Sequence, residues 1–362
     1  MLKMYNVQNL RAGMIVGRDI KQPDGNILIP VGKTLDANLL KLLSKTNIFS
    51  VYIDEPQFEA ISNIPGREFL LDDEYVEIYK RVCKRIKRIY EHLAIQRELL
   101  MDELGYIISK KSLDKLCDGA KAVSQIHNMT RDPNDYLTNH VVHVGILSGL
   151  MGKWLNMPFE QMQDLATAGF LHDVGMMKIP PNISTKEGKL TSEEWQKMQR
   201  HPEFSFDMLK NGPLKKKKDI LEGVWQHHER CDGSGYQNRL VKDQINPYGR
   251  ILAILDIYDA MASNRSYATR KSPFDVVKVL YDDVLDGKLD AEYAIPFIKQ
   301  LYRCLNGNWV SLSDGQRAKI VYLNDSNPSS LPIVQTLAGQ FVDLNRTKNI
   351  TVAHILTAGE VG

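Results

Sequence analysis

The stretch Leu171-His172-Asp173-Val174-Gly175 decides how this chain is read. A lone His-Asp pair carries little weight, because a histidine on an apolar segment is more often packed or hydrogen-bonded than ligating. This pair has company: of nine histidines, six lie between positions 140 and 228. His140 precedes the pair, and His201, His227, His228 and Asp256 follow it, each near apolar sequence of helical period.

The surrounding region, residues 131–307, has clear helix punctuation and no run of strand-like alternation. Thr191-Ser192-Glu193-Glu194 is a capping box. Asn246-Pro247 and Ser272-Pro273 each set an N-cap residue before a proline suited to the first helical position. The pattern predicts an all-α bundle of about seven helices, a class that builds metal sites from inward-facing side chains. Gly175 and Pro180-Pro181 should end the helix that carries His172 within a turn or two. Asp232-Gly233-Ser234-Gly235 should form a flexible loop after His227-His228.

The flanks differ in texture. Residues 1–65 predict a small α+β regulatory module: Asp24-Gly25 reads as a hairpin turn, Leu35 to Leu43 as a short amphipathic helix, Val51-Tyr52-Ile53 as a closing strand and Ile61 to Gly66 as a linker. Residues 66–130 predict a helical connector. Val76, Tyr79, Val82, Ile86, Ile89 and Leu93 recur at spacings of three and four, a stripe made for core or helix pairing. A second helical run covers Leu113 to Ile126. Long helices ahead of a catalytic domain are natural dimerisation surfaces, so a homodimer through residues 72–126 is an expectation. Residues 308–362 predict a β-rich appendage, with runs at Val310 to Leu312, Ala318 to Leu323, Ile333-Val334 and Ile350 to Ile355. The chain is thus expected to be multidomain and mainly α.

Bulk properties exclude several classes. The 362 residues, 43% hydrophobic and 25% charged, suit an ordinary globular protein of two or three domains. A formal charge of +2 suggests neither a nucleic-acid polymer nor a membrane as partner. The run Lys215 to Lys218 reads as a solvated edge. Cys83, Cys117, Cys231 and Cys304 show no CxxC spacing, which argues against a thiolate zinc site or a disulfide framework. With no signal-peptide core and no long apolar span, a cytoplasmic location is expected.

Imidazole and carboxylate donors bind borderline first-row cations. A carboxylate can bridge two metals, whereas an imidazole serves one, so Asp173 is the natural bridge. Adjacent helical residues diverge by about 100°, so His172 and Asp173 can serve different ions only near a helix end. Seven donors (His140, His172, Asp173, His201, His227, His228 and Asp256) exceed the needs of one ion and suit two. Two cations about 3.5–4 Å apart can share a hydroxide and hold a phosphoryl oxygen, the arrangement for phosphoester hydrolysis.

The same region resembles the HD-GYP domain, a branch of the HD phosphohydrolase superfamily. The resemblance rests on Tyr136-Leu137-Thr138-Asn139-His140, on Phe170 to Gly175, on Arg200-His201-Pro202, on His227 to Tyr236, and on Arg250 to Ala260 with Ser263 to Tyr267. It implies a metal-dependent phosphodiesterase that opens cyclic di-GMP, a bacterial signalling molecule, to linear pGpG and onward to GMP. His172 and Asp173 would be catalytic. His140, His172, Asp173 and Asp256 would hold one metal, and Asp173, His201, His227 and His228 the other. Iron or manganese is favoured, with nickel or zinc also compatible. Arg265 would meet substrate phosphate and Tyr236 would line the substrate cleft. Protein partners in signalling are a further expectation.

Three departures stand out. The family commonly places lysine where this chain has Met176, and Lys178 is the residue that could substitute. The third letter of Gly-Tyr-Pro is Gln237, which should loosen the loop. Members with three metals carry glutamate where this chain has Tyr136, so two metals are expected. The rival reading is a metal-bearing cyclic-dinucleotide receptor of weak or no catalysis; a third keeps the enzyme but changes the cyclic dinucleotide.

Overall fold

The computed structural model describes residues 2–7, 10, 14–21, 25–33, 35–44, 46, 48, 50–54, 73–119, 122, 123, 126, 135–186, 188–262, 271–324, 327, 330–347 and 349–356. The chain divides into two units, Met1–Ile64 and Pro65–Gly362. The expected linker at Ile61 to Gly66 lies outside the described residues, as does most of the segment between Gly119 and Asp135.

In the N-terminal unit, β1 (Leu2–Asn6) pairs antiparallel with β4 (Ser50–Asp54). Strand β2 (Ile20–Lys21) pairs antiparallel with β3 (Ile27–Ile29); of the expected Asp24-Gly25 turn only Gly25 is among the described residues, with a φ of 88°. Helix α1 (Ala37–Leu43) starts at Asp36, whose carboxylate accepts from the Leu39 amide at 2.8 Å. Val16, Ile20, Ile29, Leu35, Leu43, Val51 and Ile53 close its core.

The second unit begins with α2 (Asp73–Gln96). Its stripe Tyr79, Val82, Ile86, Ile89 and Leu93 is buried within this chain, in the same core as the bundle. The short helices α3 (Met101–Ile107) and α4 (Lys110–Leu116) follow, and Arg85 and Arg88 of α2 both grip the Glu103 carboxylate of α3. The bundle proper comprises α5 (Tyr136–Trp154), α6 (Phe159–Leu171), α7 (Pro181–Ser184), α8 (Ser192–Met198), α9 (His201–Leu209), α10 (Lys218–Gln226), α11 (Pro247–Ala262), α12 (Pro273–Leu285) and α13 (Ala291–Leu305). Among the described residues this is nine α-helices rather than seven, because the stretch from Pro181 to Leu209 is split into three short ones, two of them opening on proline. Thr191 and Glu194 form the expected capping box, and the Ser272 hydroxyl caps α12.

The C-terminal residues form an antiparallel sheet in the order β8-β7-β6-β5-β9: β5 (Trp309–Leu312), β6 (Arg317–Tyr322), β7 (Ile333–Thr336), β8 (Phe341–Asp343) and β9 (Val352–Ile355). Val310, Leu312, Ala318, Ile320, Val334, Val352 and Ile355 bury one face against the bundle and share its core. The appendage is therefore continuous with the helical unit. Among the described residues no helix is long and apolar enough to cross a membrane.

Candidate metal centre

The centre lies where helices α5, α6, α9, α10 and α11 meet. Helix α6 ends at Leu171, and His172 caps it with near-helical torsions. Asp173, at φ −103° and ψ 15°, then opens a 3-10 turn over Val174–Lys178. The helix thus stops at the pair itself, and the two side chains diverge as expected. Gly175 contributes by close approach rather than by stopping the helix. A Cβ there would lie 2.1 Å from the His201 carbonyl oxygen, and its amide donates to Ser205 Oγ at 2.7 Å. That contact seats the turn against the start of α9, where His201 stands.

Three histidines share one device. His172 Nδ1 lies 2.8 Å from the Gly169 carbonyl, His201 Nδ1 2.8 Å from that of Met198, and His227 Nδ1 2.7 Å from that of Val224. A carbonyl can only accept, so each Nδ1 carries the proton and each Nε2 presents a lone pair. Those lone pairs converge. His201 Nε2 is 3.3 Å from His227 Nε2, and His228 Nε2 is 3.1 Å from His201 Nε2. Asp173 stands between two groups of rings: Oδ1 lies 3.1 Å from His201 Nε2 and 3.7 Å from His227 Nε2, while Oδ2 lies 3.6 Å from His172 Nε2 and 3.8 Å from His140 Nε2. Asp256 approaches His140 Nε2 at 3.2 Å and His228 Nδ1 at 3.8 Å.

His172 Nε2 and Asp173 Oδ1 are buried and make no hydrogen bond. Lone pairs facing a carboxylate oxygen at these distances repel one another, and a bound cation relieves that repulsion. The donor set therefore fits divalent metal. Two groups lie within ligating distance of a common point, His201 with His227 and His228, and His140 with His172 and Asp173. Burial drives the His172 imidazole down to about 4, keeping it neutral at neutral pH. Burial pushes the Asp173 and Asp256 carboxyls up, but the imidazoles around them, His172 and His201 beside Asp173 and His140 beside Asp256, hold both well below the usual carboxylate range.

The seven candidate ligands are thus brought together. The proposed substrate contacts fare differently. The Tyr236 ring stacks on His228 with centroids 4.6 Å apart, and it lines a cleft of about 500 Å³ with Gln196, Gln199, Arg200, Gln237 and Arg239. Lys178 is exposed, its ammonium 6.0 Å from the Phe204 ring centre. In a 3-10 turn residues three apart eclipse, so Met176 shares the side of the turn with Asp173, and Lys178 does not. Arg265 lies outside the described residues.

The loop after His228 is tied down rather than flexible. Buried Glu229 accepts from the Asn238 amide at 2.7 Å and the Leu240 amide at 2.9 Å, one through each oxygen. Gly235 crosses so close to Glu229 that a Cβ would meet its Cα at 2.5 Å. Gln237 adopts φ 84°, a conformation closed to proline, and its side-chain amide donates to the Gln199 carbonyl. The side chain at 237 thus anchors the loop instead of loosening it.

Sequence reading also passed over Asp259. Its Oδ2 lies 2.8 Å from His140 Nδ1 and its Oδ1 2.9 Å from His143 Nδ1. The signal was present: His140 and His143, like Asp256 and Asp259, are three apart on a helix and so share a face.

Residues 124–293 match the HD domain family, whose name fits this all-α bundle gathering His and Asp side chains into a buried centre. Among curated proteins, this chain is 34% identical over 170 residues to a 3'3'-cGAMP-specific phosphodiesterase of Vibrio cholerae, covering 47% of this chain and 31% of that one. It is 29% identical over 228 residues to a cyclic di-GMP phosphodiesterase of Pseudomonas aeruginosa, covering 59% and 53%. The chain thus spans about a third to a half of these relatives' length. Among solved structures, an HDG"Y"P protein from Bdellovibrio bacteriovorus aligns with a TM-score of 0.49 and 16% identity over 82% of this chain and 98% of that one. Residues 124–293 are thus similar to the HD domains of cyclic-dinucleotide phosphodiesterases.

Proposed function

We propose that this chain is a phosphodiesterase that hydrolyses cyclic di-GMP to linear pGpG, and then to GMP, at a binuclear metal centre. The placement of Asp173 carries the reading, with one oxygen toward His201 and His227 and the other toward His140 and His172. The division into 1–65, 66–130, 131–307 and 308–362 is part of the same proposal, with the chemistry confined to the third segment.

His140, His172, Asp173 and Asp256 would hold one metal, and Asp173, His201, His227 and His228 the other. Divalent ions there would supply activated water and neutralise charge that builds on the phosphoryl oxygens. Iron or manganese suits the mixed imidazole and carboxylate set. The protein's own contribution is preorganisation: helix-end carbonyls hold three imidazoles in the ligating tautomer, and the buried carboxylates remain ionised. Tyr236 offers an aromatic face beside the centre, and Arg200 and Arg239 bring positive charge to the adjoining cleft.

Incubation of the metal-replete chain with cyclic di-GMP and, separately, with 3'3'-cGAMP tests the proposal. Accumulation of linear dinucleotide from cyclic di-GMP supports it, and cleavage of 3'3'-cGAMP alone reassigns the substrate. Met176 favours a second reading, a receptor that binds without turning over, since its thioether supplies no charge beside Asp173. Micromolar binding with no linear product from either ligand would select that reading.

A further inference from the structure

His140 differs from the other ring ligands in how it is oriented. His172, His201 and His227 stand at helix ends and use the carbonyl three residues back. His140 lies inside α5, where carbonyls are committed to the helix ladder, so its Nδ1 needs a side-chain acceptor. Asp259 of α11 supplies one, and the same carboxylate also accepts from His143, one turn further along α5. With its Nδ1 proton given to Asp259, His143 presents a lone pair at Nε2. The Tyr79 hydroxyl lies 2.8 Å from that nitrogen and 3.2 Å from Asn139 Oδ1, and its one proton is assigned to the nearer acceptor. Tyr79 belongs to α2, lies before the residues that match the HD domain family, and is 4% exposed.

We propose that Tyr79 and His143 are positioning residues for the metal centre, acting through Asp259 to fix the His140 ring. This inference rests on the metal site proposed above. The Tyr79 hydroxyl holds His143 in the Nδ1–H tautomer, which aims a donor at Asp259 Oδ1. The carboxylate is then clamped between two imidazoles, with Oδ2 left to orient His140. A carboxylate acceptor also makes the opposite nitrogen a better donor to metal. Helix α2 gains a second hold on the centre through Tyr90, whose hydroxyl donates to the Phe170 carbonyl at 2.9 Å, two residues before His172.

The test reads metal binding on the full chain, without substrate, by titrating Mn²⁺ against a chromophoric chelator. Asp259→Asn should weaken Mn²⁺ binding about 10–100-fold. Tyr79→Phe, which removes one hydroxyl from a well-packed ring, should weaken it about 2–10-fold, the worth of one hydrogen bond. His143→Ala should fall between them, and His143→Gln, which keeps a donor and an acceptor, should recover part of the loss. In Zn²⁺-loaded wild type, imidazole ¹⁵N resonances should show His140 and His143 as Nδ1–H tautomers, with His140 losing that signature in Asp259→Asn. Mn²⁺ affinity within twofold of wild type in both Tyr79→Phe and His143→Ala, with only thermal stability altered, would overturn the proposal. So would a Zn²⁺-loaded wild type whose His140 carries no proton on Nδ1. A wild type that binds Mn²⁺ but cleaves no cyclic dinucleotide would sink the phosphodiesterase reading and leave these measurements standing.

Discussion

His201 Nε2 stands 3.3 Å from His227 Nε2, and each ring gives its Nδ1 proton to the backbone carbonyl three residues back, so that the two Nε2 atoms are turned toward each other. Asp173 Oδ1 faces both rings. Asp173→Ala should therefore strip metal from both sides of the centre and lower turnover by more than about 100-fold, beyond the usual cost of losing a group that only orients a ligand. Metal analysis after gel filtration, with a turnover assay, checks this. Full metal content in the variant would remove Asp173 from its bridging role.

Metal removal should loosen the fold as well as stop the chemistry. Without cations, buried lone pairs face one another and the Asp173 carboxylate. Returning metal at about 100 times its dissociation constant should stabilise the chain by about 2.7 kcal/mol. For the unit Pro65–Gly362 that raises the melting temperature by about 4 °C. A chelator-stripped sample whose unfolding is indifferent to Mn²⁺, Fe²⁺, Ni²⁺ and Zn²⁺ would argue against the centre.

Met176 lies half-buried on the 3-10 turn, its amide donating to the Asp173 carbonyl at 2.9 Å. Three residues on in such a turn is the same side, so a lysine there would reach toward the phosphate that Asp173 helps to position. Met176→Lys should raise kcat for cyclic di-GMP, by up to about tenfold if one charge-assisted hydrogen bond to substrate is regained. An unchanged kcat would mean another group already fills that role.

Glu229 holds the Tyr236 loop through two backbone amides. Glu229→Ala leaves both amides buried without that acceptor, at about 1–3 kcal/mol each if water does not replace it. Because Tyr236 belongs to the cleft and not to the ligand set, the loss should appear mainly as a higher KM, with bound metal nearly unchanged. A fall in metal content equal to that of Asp173→Ala would place Glu229 inside the metal site instead.

Much of the centre was legible because its residues announce themselves locally. His172-Asp173 and His227-His228 sit at helix ends, as the sequence pattern around them suggests, and Ser272 and Thr191 cap their helices as their spacing requires. The stripe from Tyr79 to Leu93 was equally plain, although only the folded chain shows that it closes the same core as the bundle. What escaped notice depends on contacts between distant segments. Asp259 acquires its role from α5, more than a hundred residues earlier, and Gly175 is required by the His201 carbonyl that crosses above it. Gln237 departs from the Gly-Tyr-Pro pattern, and its backbone adopts a φ closed to proline. The strand Phe341–Asp343 was also missed, since three residues without alternation give a period too little room.

The Tyr79 and Tyr90 hydroxyls have a consequence for how this chain could be recombined. Recognisable family sequence begins at residue 124, yet both tyrosines that reach the centre lie upstream of it. A crossover that exchanged the front of the protein ahead of Asp73 would carry these contacts along intact. One placed after Gln96 would keep all seven ligands and sever both contacts, leaving a domain whole by motif and short of two of its supports.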